Sequence, residues 1–311
     1  MKTGLSHGSS SARKPRNDPR RGPGPRKEAV ITGTPPVQRR VLGTALRRHR
    51  ENLGYGLEEA AGILECDRSK ISRIETGQRG IRSLELWALL QEYGVAEDER
   101  SALAAIADPR CTRGWWRQYA DVLPEAYRDY LILEAAASKI LVYESHRVPE
   151  LLQTAEYANA VADADTVMPS AMRDRSAKAA LARQQAVLAG ERPELAVVIG
   201  EAALRQDVGG AESMRAQLGH IAAVGAGHPK VTVQVLPFTA GAHAAISSGP
   251  MTVLGLTPMP GLGVVRLPYL PSGVVLDDQE DVACYYRVFL QLQALSLSPC
   301  ESVGLLRAMA A

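Results

Sequence analysis

The stretch that decides the fold is residues 41–95, VLGTALRRHRENLGYGLEEAAGILECDRSKISRIETGQRGIRSLELWALLQEYGV. Its apolar residues recur at the three- and four-residue spacing of amphipathic helices, which predicts four short helices joined by tight connections. Only Glu65, Cys66 and Asp67 separate the second helix from the third. Because so short a connection makes consecutive helices cross steeply, the pattern indicates a helix-turn-helix arrangement.

The third of these helices has a narrow apolar edge and a polar outer surface. Asp67 is a good N-cap, because its carboxylate can accept the free backbone N–H of Ser69 or Lys70. Ile71 and Ile74 hold one edge of the helix to the core. The outward side chains are then Arg68, Ser69, Lys70, Ser72 and Arg73. Such donors suit guanine edges and phosphates in a DNA groove, although a merely solvated face on a helical bundle is the alternative.

Residues 41–95 resemble a helix-turn-helix domain of the Xre/Cro-repressor type. The segments that carry the resemblance are LGTALRRHRENLGY, LEEAAGIL, SKISRIETGQR and LELWALLQEYGV. The run ISRIETGQR at 71–79 is the most specific, because it combines core apolar residues with a helix end at glycine. The resemblance implies that residues 68–73 form the recognition helix, with Ser69, Lys70 and Arg73 in the major groove.

The resemblance also implies one structural pair and one departure. Glu75 is expected to be structural and to pair with a first-helix arginine, Arg47 or Arg50. Such domains usually open the second helix with a Ser or Thr cap followed by Gln, whereas Gly56 and Leu57 stand here. The departure removes one polar contact to DNA and weakens the cap.

Composition and cysteine usage are those of a soluble globular protein of two domains. The chain has 311 residues, of which 46% are hydrophobic and 23% charged. No apolar run reaches the roughly 18 residues of a membrane span, and no signal-peptide core is present. The cysteines lie far apart without a C-x-x-C pair, at Cys66, Cys111, Cys284 and Cys300. We therefore expect a reduced, cytoplasmic compartment, no membrane, no metal and no cofactor.

The positive charge is concentrated at the N-terminus. Residues 1–40 carry ten Lys or Arg against Asp18 and Glu28, although the whole chain is only +2. Because the segment is rich in Gly, Pro and Ser, we expect residues 1–37 to be a disordered basic arm. It either adds salt-sensitive affinity for DNA or is a dispensable extension. Arg39 and Arg40, which adjoin the first helix, and Arg79 complete the predicted DNA contacts.

A linker and a second domain follow the helix-turn-helix region. The first domain is expected to span residues 38–108, with a fifth helix at 96–107 before Asp108. Residues 109–124 form a predicted linker whose aromatic residues, Trp115, Trp116 and Tyr119, either anchor one domain to the other or stack on a ligand or nucleic acid. Residues 125–311 mix helical and strand patterns, which predicts an α+β domain with a small, mostly antiparallel sheet. The predicted helices are 126–143, 151–162, 170–189, 211–224, 279–295 and a tail from 299, and the predicted strands are 195–199, 231–236, 251–256 and 262–267.

This second domain resembles the domain of unassigned function that follows Xre-type modules in many actinobacterial regulators. The matching segments include WWRQYADVLPEAYRDYLILEAAA, VPELLQTAEYANA, EAALRQDVGG, VTVQVLPFTAGAH and LDDQEDVACYYRVFLQLQALSLSPCES. The chain departs from that pattern at Glu150, where a glycine is expected, and at Arg266, where a tyrosine is usual. Both departures are expected to alter a local pocket and to leave the fold intact.

The C-terminal half shows no catalytic constellation. It has no H-E-x-x-H pair, no G-x-S-x-G nucleophile elbow and no phosphate-binding G-K-[ST] loop. His243 is the histidine of most interest, because it follows a strand in a glycine-bearing loop where ligands are often contacted. The candidates for a ligand or partner pocket are Trp115, Trp116, Glu134, Glu201 and His243. We expect a non-enzymatic domain.

The sequence therefore predicts a cytoplasmic, sequence-specific transcriptional regulator that binds double-stranded DNA as a homodimer. The C-terminal domain is expected to supply dimerisation, a partner surface or ligand sensing. The resemblance implies a possible partner, a small protein encoded by a neighbouring gene. Two alternatives stay open: an adaptor whose helix-turn-helix fold no longer reads DNA, and a small-molecule-binding or enzymatic domain tethered to DNA.

Overall fold

The computed structural model describes residues 36–108, 114–166, 168–189, 193–256, 262–268 and 273–311. Most of the predicted basic arm at 1–37 lies outside these ranges, as do the start of the predicted linker and residues 257–261 between two predicted strands. Every structural statement below concerns the described residues.

The N-terminal region consists of short helices, as the periodicity predicts. They are α1 (Val37–Asn52), α2 (Leu57–Ile63), α3 (Arg68–Glu75), α4 (Ser83–Glu92) and α5 (Glu97–Ala107). A Cβ added to Gly43 of α1 would lie 2.5 Å from the carbonyl oxygens of both Ile74 and Glu75. The two helices therefore approach so closely that only glycine fits at this position.

The C-terminal region is built on a mixed sheet with the strand order β3-β2-β1-β4-β5-β6. The strands are β1 (Lys139–Glu144), β2 (Glu194–Gly200), β3 (Val231–Leu236), β4 (Met251–Gly255), β5 (Gly263–Leu267) and β6 (Val274–Leu276). Strands β1, β2 and β3 pair in parallel, whereas β4, β5 and β6 extend the sheet from β1 by antiparallel pairing. The predicted multi-domain fold, with a helical N-terminal part and an α+β C-terminal part, is confirmed.

Helices cover both faces of this sheet. The helices are α6 (Glu125–Ala136), α7 (Ala155–Ala164), α8 (Ser170–Leu188), α9 (Glu201–Arg205), α10 (Gly210–Gly227), α11 (Ala245–Ser248), α12 (Gln279–Leu295) and α13 (Pro299–Ala310). One face, which includes Ile140 and Val142, belongs to a large core that continues through α6 into the N-terminal helices. The opposite face, which includes Leu141 and Tyr143, packs with Phe289 and Leu292 of α12.

The predicted helix at 126–143 is wrong in its second half. Helix α6 ends at Ala136, and residues 139–144 form the central strand β1. The side chains from Ile140 to Glu144 are all buried. A strand buried on both faces is apolar at nearly every position, so its residues lack the alternation that separates a strand from a helix. The short strand β6, which pairs only with β5, was also not predicted.

The N-terminal helices join the C-terminal region mainly through α6. This helix packs against both α1 and α5. Near this contact, Arg40 of α1 forms a two-point ion pair with Asp277, in which Nε and Nη2 lie 2.8 and 3.1 Å from the carboxylate oxygens. The described residues from 36 onward accordingly belong to one compact unit.

Candidate DNA interface and C-terminal clefts

Helix α3 is fixed at its start and along one edge. The carboxylate of Asp67 accepts the backbone N–H of Ser69 at 2.7 Å, which is the expected N-cap. Ile71 and Ile74 are 1% and 3% exposed, so both side chains are sealed in the core. The burial of the two isoleucines therefore leaves Arg68, Ser69 and Arg73 of α3 exposed.

Arg68, Ser69 and Arg73 form the exposed part of α3. Arg68 pairs with Glu58 at 3.0 Å, but both side chains are about two-thirds exposed, at 69% and 65%. Arg73 donates from Nε to the Ser69 carbonyl at 3.1 Å and from Nη2 to the Ser69 hydroxyl at 3.3 Å. Exposed contacts of this kind are screened by solvent and contribute little, so a phosphate or a base edge can replace them at little cost.

Lys70 and Ser72 are less accessible than their neighbours on α3. The Lys70 ammonium donates to Glu85 of α4 at 2.7 Å, and its side chain is only 17% exposed. Hydrogen bonds from Arg82 and then from Lys70 lower the pKa of Glu85 to about 2. Ser72 is half-buried, and its carbonyl accepts the Thr76 hydroxyl at 2.9 Å. The amine of Lys70 is thus already committed to a neighbouring helix.

The arginines on either side of α3 also differ in their exposure to solvent. Arg39 and Arg79 are exposed, whereas Arg40 is half-buried and paired with Asp277. Gly77, with φ +72°, ends α3, and a Cβ there would lie 3.1 Å from the Arg40 amide nitrogen. The close approach at Gly77 brings the start of α1, and with it Arg39, beside the end of α3.

Arg50 of α1 and Glu75 of α3 form the structural pair that the resemblance implied. Arg50 donates to both carboxylate oxygens, and both residues are buried. The hydrogen bond from Arg50 to Glu75 raises the pKa of Arg50. Arg47 pairs instead with Glu51 on the same helix. Of the two arginines considered from the sequence, Arg50 is therefore the partner of Glu75.

The start of α2 lacks a side-chain cap, in agreement with the departure at Gly56 and Leu57. The turn that follows the helix contains Glu65 with φ 47°, a left-handed conformation that usually favours glycine. Both features lie in the helix-turn-helix unit.

Three of the five residues proposed for a C-terminal pocket, Trp115, Trp116 and Glu134, lie apart from the other two. Trp116 is 4% exposed within a 3₁₀ turn, Trp115–Tyr119, that packs against α8. Glu134 is 3% exposed and forms an ion pair with Arg183 of α8 at 2.5 Å. These tryptophans therefore have a packing role, and Glu134 is engaged inside the domain.

Glu201 and His243 do share a cleft of about 340 Å³ at the carboxyl ends of β1, β2 and β3. Glu201 accepts the backbone N–H of Phe238 at 2.9 Å, and this bond lowers the pKa of Glu201. The ring of His243 lies edge-on to that of Tyr143, with 6.1 Å between the two ring centroids. Its buried Nδ1 has no hydrogen-bond partner among the described residues. Ligands of open α/β sheets commonly bind at this edge.

A second cleft, of about 490 Å³, lies beside α6 and was not predicted as a site. Its polar wall includes Tyr127, Glu144, Arg147, Glu150 and Arg266. Glu150 and Arg266 are the two positions at which the sequence departs from the pattern it resembles. Those departures were the available signal, and the fold places both in one cleft.

Comparison with known proteins agrees with this architecture. A family model described as a helix-turn-helix domain matches residues 41–103, and one described as a domain of unknown function, DUF5753, matches residues 127–308. Searches of curated proteins and of solved structures gave no match. Among the described residues, no helix has the length and apolarity that crossing a bilayer requires. The DUF5753 match covers more than half of the chain. The chain therefore belongs to the DUF5753 family and carries a helix-turn-helix domain ahead of the DUF5753 domain.

Proposed function

We propose that the protein is a sequence-specific DNA-binding transcriptional regulator of the Xre/Cro-repressor type. The observation that carries the proposal is the arrangement of α3. Its isoleucines are buried, while Arg68, Ser69 and Arg73 are exposed and held only by weak surface contacts. An arginine in this position can donate to guanine O6 and N7 in the major groove.

The contact residues divide into two groups in this proposal. Arg68, Ser69 and Arg73 read bases or nearby phosphates, and Arg39 and Arg79 contact the phosphate backbone at the end of α3. Lys70 acts chiefly through Glu85, since its ammonium is already paired. Phosphate contacts fix the position of the helix, whereas base contacts give the sequence preference.

We further propose that the protein acts as a cytoplasmic homodimer in a bacterium. One short helix reads only a few base pairs, so two-fold regulators place two such helices about 34 Å apart on the duplex. The C-terminal domain would provide dimerisation, a surface for a small protein encoded nearby, or a ligand site, for which the Glu201 and His243 cleft is one candidate. We propose no catalytic activity.

The test is selection of DNA from a random duplex library by the full-length protein. The proposal predicts a recurrent site, which is palindromic if the dimer binds, and affinity that falls steeply with salt. An Arg68→Ala, Arg73→Ala double variant should keep its fold but no longer enrich that site. Enrichment of no motif, together with affinity independent of salt, would favour the adaptor alternative.

A further inference from the structure

The second cleft lies where α6 covers one face of the sheet. In the strand register, Val142 of β1 pairs with Thr252 of β4, which pairs with Arg266 of β5. Glu144 lies two residues beyond Val142, so Glu144 and Arg266 project from the same face. Tyr127 of α6 also lines the cleft. A volume of about 490 Å³ is that of a small-molecule site.

Arg266 presents hydrogen-bond donors to this cleft. Its guanidinium carbon lies 4.7 Å from the centroid of the Tyr127 ring and 5.7 Å from that of Tyr130. Stacking on an aromatic face positions the guanidinium and leaves its N–H groups available around its edge. Within the described ranges, Arg266 has no hydrogen-bond acceptor and no ion-pair partner. The fork geometry of arginine matches a carboxylate with two parallel hydrogen bonds.

Glu144 presents an acceptor to the same cleft. Its Oε1 accepts both Nε and Nη2 of Arg147 at 3.2 Å. Its Oε2 has no donor among the residues that the structure describes. The residue is only 7% exposed, and burial raises the pKa of its carboxyl group. An ammonium group beside Oε2 would supply both the missing donor and a compensating charge.

The other arginine and glutamate side chains around the cleft are already paired. Glu150 accepts from Arg147 at 3.2 Å through Oε1 and from Arg183 at 2.6 Å through Oε2. Arg183 also pairs with Glu134. Asp165 also lines the cleft, and its Oδ1 accepts the backbone N–H of Met168 at 3.0 Å. The groups left open are then one donor group, on Arg266, and one acceptor atom, Glu144 Oε2. A ligand that carries one charge of each sign would engage both of them.

We propose that this cleft binds a small zwitterion, an amino acid or dipeptide, with its carboxylate on Arg266 and its ammonium group on Glu144 Oε2. Tyr127 forms part of the wall, and the remaining volume takes the side chain of the ligand. This inference goes beyond DNA binding and does not depend on it. It is also distinct from the cleft of Glu201 and His243: His146 lines both clefts, but Arg266 and Glu144 line only the second.

The test is titration calorimetry of the full-length protein with each proteinogenic amino acid and with the dipeptides Ala-Ala and Gly-Leu. At least one probe should bind saturably, with a Kd between about 1 μM and 1 mM. The corresponding amine without the carboxylate, and the corresponding acid without the amine, should each bind at least about tenfold more weakly. Whether the probe that binds is an amino acid or a dipeptide shows which of the two the cleft takes.

Variants locate the site. Arg266→Gln and Glu144→Gln should each weaken binding of that probe by about tenfold or more, while Glu201→Gln, in the other cleft, should leave it unchanged. Arg266→Lys, which keeps the charge and loses the fork, replaces Arg266→Gln if the latter does not give the wild-type circular dichroism spectrum. The proposal is overturned if no probe saturates below about 10 mM, or if the amine or acid alone binds as well as the zwitterion. It is also overturned if the Arg266 and Glu144 variants bind normally.

Discussion

Arg50 of α1 and Glu75, the last residue of α3, form a buried ion pair that joins the two helices. The Arg50 Nε and Nη2 atoms lie 2.7 and 2.9 Å from the two oxygens of Glu75, and both residues are buried. Arg50 also donates to the Tyr55 carbonyl at 2.7 Å. The pair therefore fixes the end of α3 and the chain after α1 in one hydrogen-bonded unit.

Breaking this pair should be costly. Glu75→Gln leaves the Arg50 charge buried without a counter-charge, which should lower the free energy of unfolding by about 3–5 kcal/mol. Denaturant unfolding of the full-length chain measures the effect. Arg47→Gln is the matched control, because its pair with Glu51 is exposed and contributes about 0.3–0.5 kcal/mol. Equal, small effects for both variants would show that the buried pair does not hold α3.

The approach of α1 to α3 gives a second prediction. Gly43→Ala would place a Cβ 2.5 Å from two backbone oxygens, and forcing the helices apart should cost about 1–3 kcal/mol. Gly62→Ala in α2 is the control, because a Cβ there meets nothing within 4 Å. That change should be neutral or stabilising by up to about 1 kcal/mol. Thermal unfolding of both variants distinguishes a steric effect from a general intolerance of alanine.

The neighbouring arginines at the start of α1 should differ in DNA binding. Arg39→Gln removes an exposed cation and should flatten the slope of log K against log salt by about 0.9. Arg40→Gln should lower thermal stability and leave that slope nearly unchanged, because Arg40 is paired with Asp277. The slopes are measured by fluorescence anisotropy over a salt series. If Arg40→Gln flattened the slope more than Arg39→Gln, the Arg40–Asp277 pair would have to open when the protein binds DNA.

Acid should weaken the ion pairs that Glu150 forms with Arg147 and Arg183. Burial would raise the pKa of Glu150, but the charges of Arg147 and Arg183 outweigh it and lower that pKa to about 2. Because the folded pKa lies below the unfolded one, the stabilisation from Glu150 is present above about pH 4.5 and is lost as the pH falls toward about 2.

The measurement is thermal unfolding as a function of pH for the wild type and Glu150→Gln. The variant should be less stable at pH 7 and should lose less stability over the acid range. Glu156→Gln, which alters an exposed carboxylate on α7, should follow the wild type. If Glu150→Gln had the same dependence of stability on pH as the wild type, Glu150 would not be the source of the predicted loss of stability in acid.

The sequence is informative about structure wherever local periodicity decides it. The burial of Ile71 and Ile74 and the cap at Asp67 follow from spacing within one helix. The resemblance also implied that Glu75 pairs with an arginine of the first helix, such as Arg47 or Arg50. The strand at 139–144 was not predicted, since a central strand lacks a distinctive period.

Contacts between distant parts of the chain could not be predicted. Nothing in the local pattern indicates that Lys70 would pair with Glu85, or Arg40 with Asp277. The cleft at Arg266 forms only when the loop after β1 meets β5. The departures at Glu150 and Arg266 single out two of its residues, but the sequence does not show that they meet, because side chains from separate elements come together only in the folded domain.

The most direct test of the central claim is the affinity of wild type and Arg73→Ala for the selected site and for every single-base-pair change in it. Wild type should lose about 1–3 kcal/mol when the base pair read by Arg73 is changed. Arg73→Ala should bind the parent site more weakly by a similar amount and become indifferent at that one position only. A variant that weakens uniformly at all positions, or retains the full wild-type preference, would contradict base reading by α3.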